Sequence, residues 1–231
     1  MKSLKKRREI AAEVLLRLKR EFGVFTPTLN FSSAWELLVG GILAAQCTDE
    51  RVNIITDKLF VKYPEIRDYA EAPLEDIEDM VRTAGLFRNK AKAIKGSAEM
   101  IMTEFDGEVP AVMDDLLSLP GVGRKIANLV LGDWFEIPGM VVDTHCKRIS
   151  TLLGMTDANS PAAIERQLVK AVPQELWIDW GHYLVTLGRN QCRARCRQCA
   201  VCPLTDICAF AAGHKQAIAE AAEREPERCI G

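Results

Sequence analysis

The chain carries almost no net charge. Thirty lysines and arginines face thirty-two acidic residues, a balance of −2 at pH 7. Total charge therefore gives no support for nucleic-acid binding, and any basic surface has to be local. A membrane-spanning run is also lacking. The longest apolar stretch, residues 37–45, is less than half of the about 20 residues that a spanning helix needs. The first residues, MKSLKKRREIAAEV, begin basic but have no apolar core of the signal-peptide kind. No internal repeat, no low-complexity segment and no convincing two-residue alternation of a β-strand is found. These absences make a cytoplasmic protein away from any membrane the expectation, nucleoid-associated in a bacterium; a monomer is expected as well.

What is present is helical. With 231 residues, 48% hydrophobic and 27% charged, the chain supports a sizeable core in one or two domains. Residues 4–22 place Ile10, Val14, Leu15 and Leu18 on one face of a basic helix, read as a solvated surface helix. Ser33 and Glu36 fit a capping box opening a helix that is apolar nearly all round. That helix ends abruptly at the polar run Gln46-Cys47-Thr48-Asp49. Further helices are expected over residues 50–62, 74–83, 88–105 (opening with Arg88, Lys90, Lys92 and Lys95) and 112–119. Others follow over residues 143–153, 161–172 and 174–190, with Ser160-Pro161 as an N-cap and first-turn pair. A terminal helix over residues 203–222 and a frayed charged tail close the chain.

Leu119-Pro120-Gly121-Val122-Gly123 reads as a tight turn feeding a helix from Arg124. Its unpaired backbone N–H groups suit a phosphate; a plain helical elbow with structural glycines is the other reading. Five of the eight cysteines crowd between Cys192 and Cys208. In a reducing compartment such density argues for a metal centre. Cys192, Cys199, Cys202 and Cys208 give C-x6-C-x2-C-x5-C, which fits a single four-cysteine cubane site better than a zinc ribbon. Cys196 leaves C-x3-C-x2-C-x2-C as a competing set. The interleaved Arg193, Arg195 and Arg197 form a local basic patch suited to phosphates.

LPGVGRKIAN, the downstream VVDTH and this cysteine spacing together resemble the endonuclease III family of DNA glycosylases. LNFSSAWELL, LAAQCTD, AGLFRNKA and GEVP are similar to further family segments in the same order. The resemblance implies an all-α fold of two helical lobes flanking a DNA-binding cleft. One lobe, a six-helix barrel with the helix–hairpin–helix, would span residues 27–137. The other, discontinuous over residues 1–26 and 138–231, would hold a [4Fe–4S] cluster on the loop 192–208. The implied partner is double-stranded DNA with damaged pyrimidines or abasic sites, and the implied chemistry is base excision followed by strand cleavage.

By the same resemblance, Lys125 is the nucleophile and Asp143 the carboxylate that stabilises the oxocarbenium ion; without it, Lys125 reads as a phosphate contact and Asp143 as an N-cap. Gln46 and Leu86 match the positions that enter the duplex, Gly121 and Gly123 hold a phosphate, and His145 and Arg148 stand near the DNA backbone. An adenine-mismatch relative would carry an acidic residue in the helix before Gln46 and lack the lysine. Lys125 also argues against a thymine-mismatch relative. A non-enzymatic iron–sulfur DNA-binding protein is the alternative of a different class.

Overall fold

The computed structural model describes residues 2–230, and these form helices joined by short loops, with isolated bridges at Arg197 as the only β pairing among them. In chain order the α-helices are α1 (Leu4–Phe22), α2 (Ala34–Leu43), α3 (Asp49–Lys62), α4 (Ile66–Glu71), α5 (Leu74–Val81) and α6 (Phe87–Glu104). They continue with α7 (Met113–Ser118), α8 (Arg124–Asp133), α9 (Thr144–Leu152), α10 (Pro161–Ala171), α11 (Trp177–Asn190), α12 (Ala209–Ala212) and α13 (Lys215–Arg224). The chain divides into two compact units, residues 26–139 and residues 1–25 with 140–231.

In the unit of residues 26–139, α2 is buried along nearly its whole length, as its all-round apolar sequence requires. Ser33 Oγ accepts from the Glu36 N–H at 3.1 Å, but Glu36 returns its carboxylate to Ser32 rather than to Ser33. The expected reciprocal box is thus displaced by one residue. The short α4 between Pro64 and Pro73 was not anticipated; its capping box joins Glu65 and Asp68, charged residues that also fit a turn. Arg82–Ala84 tightens into a 3-10 turn instead of completing α5.

Helix α6 seats the glycine turn. Ser97 Oγ donates to Pro120 O at 3.0 Å, Gly96 lies beneath the Pro120 ring, and Ala93 lies beneath Gly121. Residues 93, 96 and 97 share one helical face, so the turn between α7 and α8 rests on a single stripe of small side chains. Pro120 forces Leu119 to extended geometry, φ −68° and ψ 135°, which ends α7.

In the second unit the apolar stripe of α1 (Ile10, Ala11, Val14, Leu15, Leu18) packs into a core with Ile149, Leu168, Trp180 and Leu184. The helix is therefore half core, and two of its arginines are used internally. Arg7, buried, donates to Met155 O at 3.0 Å, and Arg17 spans Glu13, Asp206 and Pro203 O. Asp143 caps α9 and Ser160 caps α10. The expected helix over residues 174–190 begins as a 3-10 turn, Gln174–Leu176, after Pro173.

The expected terminal helix is broken. Residues 203–207 are turns, and α12 stops at Gly213 before α13 starts at Lys215. Beyond α13 the chain is not frayed. Ile230 is 5% exposed and donates its N–H to Arg197 O at 2.9 Å, which brings the tail back onto the cysteine loop.

Candidate functional site

The glycine turn is built by Gly121 at φ +76°, with the Val122 N–H closing onto Leu119 O at 3.1 Å. A Cβ at Gly121 would meet the Ala93 Cβ at 2.6 Å, so only glycine fits both the dihedral and the space. Gly123, at φ −102°, has open space around it and acts as the N-cap of α8. No side chain caps that helix, which leaves its first amides and the positive end of its dipole directed outward. Lys125 stands in this first turn and is exposed.

Gln46 and Leu86 both adopt left-handed backbone, φ 55° and 49°. Such geometry is costly for residues with a Cβ. Both side chains are exposed, Leu86 to 57%. Gln46 lies in the loop after α2, and Leu86 is the N-cap residue of α6.

Asp143 belongs to the other unit. Its Oδ1 accepts from the Cys146 N–H at 2.7 Å, the N-cap of α9, and the carboxylate is half-buried. His145 packs directly over Gly188, with Nδ1 3.3 Å from an Arg148 nitrogen. Arg148 donates to Cys192 O at 2.7 Å and reaches Gly188 O at 3.5 Å. In this arrangement Arg148 props the start of the cysteine loop.

On that loop Cys192, Cys199, Cys202 and Cys208 are free, whereas Cys196 is paired with Cys229 in a disulfide. Cys229 escaped notice in the sequence because it lies in a charged tail, 33 positions from its partner. The only hint was the cysteine count, which left Cys229, like Cys47 and Cys146, without an assigned place. Burial raises the Cys192 thiol above its ordinary range, pushes Cys199 to about 11 and Cys202 to about 12, and the neighbouring cysteines push in the same direction. Burial and neighbouring cysteines thus disfavour the thiolate forms of Cys192, Cys199 and Cys202, and a cationic centre would favour them. Among the described residues no three of His, Cys, Asp or Glu are grouped to share one metal ion.

The three loop arginines separate. Arg193 and Arg195 are exposed, with Arg193 Nε donating to Arg189 O at 3.1 Å. Arg197 is half-buried and lies 5.0 Å from the centre of the Phe210 ring, so it packs within the unit. The site residues therefore fall into two groups. Gln46, Leu86, Gly121, Gly123 and Lys125 belong to the unit of residues 26–139, and Asp143, His145, Arg148 and the cysteine loop belong to the other.

Residues 39–174 match the family described as HhH-GPD superfamily base excision DNA repair protein. The endonuclease III of Synechocystis sp. is 44% identical over 209 residues, covering 90% of this chain and 95% of that protein. The endonuclease III of Escherichia coli (strain K12) is 36% identical over 198 residues, covering 86% and 94%. Among solved structures, a trapped endonuclease III–DNA covalent intermediate with an estranged adenine is similar at a TM-score of 0.85 and 37% identity. That likeness covers 93% of this chain and all of the other.

Proposed function

Since the chain belongs to the endonuclease III family, and is with it a base excision repair DNA glycosylase and AP lyase, we propose that it excises oxidised pyrimidines from duplex DNA through Lys125. The observation that carries this reading is an exposed lysine in the first turn of a helix whose N-terminus no side chain caps. The open amides of Gly121, Gly123 and the first turn of α8 take a backbone phosphate, which brings the neighbouring sugar to the amine.

The chemistry starts with the lesion base out of the stack, because C1′ is shielded inside the duplex. Gln46 and Leu86 enter the space it leaves, an amide facing the orphaned base and an apolar wedge beside it. Their exposed, left-handed placement supports this use, since strained backbone persists where surrounding structure holds it for a purpose. The neutral amine of Lys125 attacks C1′, and the bond to the base breaks with its electron pair leaving on the base. The Asp143 carboxylate stabilises the cationic sugar and shuttles the protons. Loss of an amine proton and cleavage of the C1′–O4′ bond, with O4′ taking up a proton as the sugar ring opens, give a Schiff base between Lys125 and C1′. Removal of a C2′ proton then expels the 3′ phosphate by β-elimination, and water releases the lysine.

Cys192, Cys199, Cys202 and Cys208 would hold the [4Fe–4S] cluster. Four free cysteines on one loop offer the soft sulfur donors that such a group takes, and the disulfide takes Cys196 out of the competing ligand set. The cluster would supply structural crosslinking to the loop bearing Arg193 and Arg195, outside the steps of excision. The protein is proposed to act on DNA as a monomer.

The test is borohydride trapping with duplex DNA carrying thymine glycol or an abasic site. A covalent complex is expected with the parent protein and none with Lys125→Ala; trapping that survives the substitution rejects Lys125 as the nucleophile.

A further inference from the structure

A buried ammonium is costly unless hydrogen bonds replace its water. Lys90, in the first turns of α6, is the only lysine buried among the described residues, at 5% exposure. Its Nζ donates to Leu43 O at 2.9 Å and to Ala84 O, and its backbone N–H donates to Leu86 O at 3.2 Å. Leu43 ends α2, where the last carbonyls have no partner within the helix, and Ala84 ends the 3-10 turn after α5. Gln46 lies three residues past Leu43, and Leu86 two past Ala84. Both are the exposed residues with left-handed backbone described above.

We propose that Lys90 is a positioning residue that staples the Gln46 and Leu86 loops at one fixed spacing, so that the amide and the wedge enter the duplex as a unit. The proposal rests on the reading of Gln46 and Leu86 as duplex-inserting groups. These loops are separated by forty positions of sequence and emerge from different helices. Lys90 holds a main-chain carbonyl at the base of each, close enough to the tips to set where they point. Burial lowers the proton affinity of Lys90 below the ordinary lysine range, so the charged form is held at a cost. An apolar side chain of the same length would fill the channel without that cost, but would leave both carbonyls unpartnered and the loops free to move apart. Two inserting groups have to arrive together at one gap, and a misplacement of about 1 Å costs up to about 100-fold in rate.

The experiment is a mutant cycle read by single-turnover excision from thymine-glycol duplex. Lys90→Met is expected to slow excision about 10- to 100-fold, with circular dichroism and thermal unfolding checking that the fold is kept. In a Gln46→Ala/Leu86→Ala background the same substitution is expected to change the rate less than about threefold, because its route of action is gone. Equal losses in both backgrounds overturn the staple and assign Lys90 to general support of the fold. Excision by Gln46→Ala/Leu86→Ala at the parent rate overturns instead the duplex-inserting reading, and the staple with it; the two failures are told apart by which protein loses activity. Lys90→Gln, which keeps an N–H donor on a shorter arm, carries the same cycle if the methionine variant does not fold.

Discussion

Gly121→Ala and Gly123→Ala make a paired test of why the turn proposed to grip DNA needs its glycines. At Gly121 two penalties coincide. The backbone sits at φ +76°, and an added Cβ would meet the Ala93 Cβ at 2.6 Å. The left-handed dihedral costs an alanine about 1–2 kcal/mol. Relieving the overlap costs about 1–3 kcal/mol more, because Ala93 is itself backbone-fixed within α6. The expected loss is about 2–5 kcal/mol, which for a protein of this size lowers the melting temperature by roughly 5–15 °C. At Gly123, φ is −102° and nothing lies within 4 Å of the added carbon. Its substitution is expected to leave stability within about 0.5 kcal/mol while weakening binding to abasic-site duplex, where a phosphate approaches the backbone. Thermal and urea denaturation of cluster-loaded protein measure the first quantity and a binding titration the second. Ala93→Gly in the Gly121→Ala background should restore about 1–3 kcal/mol of packing relief, offset in part by about 1 kcal/mol for a glycine within a helix. If both glycine substitutions destabilise alike, or Gly121→Ala melts with the parent, the steric account of the turn is wrong.

Asp143→Asn separates the two duties of that carboxylate. Asparagine caps a helix as well as aspartate, so stability should hold while base excision falls far more than DNA binding; equal losses in single-turnover rate and affinity would make Asp143 structural only. Asp143→Ala, which also removes the bond to the Cys146 N–H, should additionally cost about 1 kcal/mol of stability in a urea titration. For the cysteine loop, Cys196→Ser should retain iron and its visible absorption, and Cys199→Ser should lose both. Iron analysis giving the reverse order, or stoichiometric zinc in place of iron, would overturn the ligand set.

The periodic helices were legible because their signals are local. Ser160-Pro161, Asp143 before α9 and Pro120 before Gly121 each fix a boundary through their own dihedrals and hydrogen bonds. Where boundaries moved, a nearby competitor won. Ser32 took the Glu36 carboxylate, and Gly213 broke a run that otherwise has helical composition. The tail was illegible for a different reason. Its return depends on Ile230 meeting Arg197 and on Cys229 meeting Cys196, contacts made at a distance by a segment whose own composition favours solvent. Lys90 was hidden in the same way. Within RNKAKAIK it is one cation among several, and its burial is decided by a carbonyl 47 positions away.

That contrast changes what the neutral composition means for DNA binding. A lysine or arginine whose nitrogen is bonded to a main-chain carbonyl is anchored inside the fold, and it adds little to the mobile positive surface that displaces counterions from a duplex. Arg7, Lys90, Lys95 and Arg148 all have such carbonyl partners, and Arg17 adds an ion pair with Asp206 to its own. The exposed cations outside that set include Arg88, Lys92, Lys125 and Arg195. Three of these flank the Leu86 loop or the glycine turn, and Arg195 stands on the cysteine loop. The near-zero total thus conceals a division of labour, in which some cations close carbonyls within each unit and a smaller set faces outward at the segments proposed to touch DNA. A formal charge count cannot separate the two sets; only the hydrogen-bond partner of each cation does.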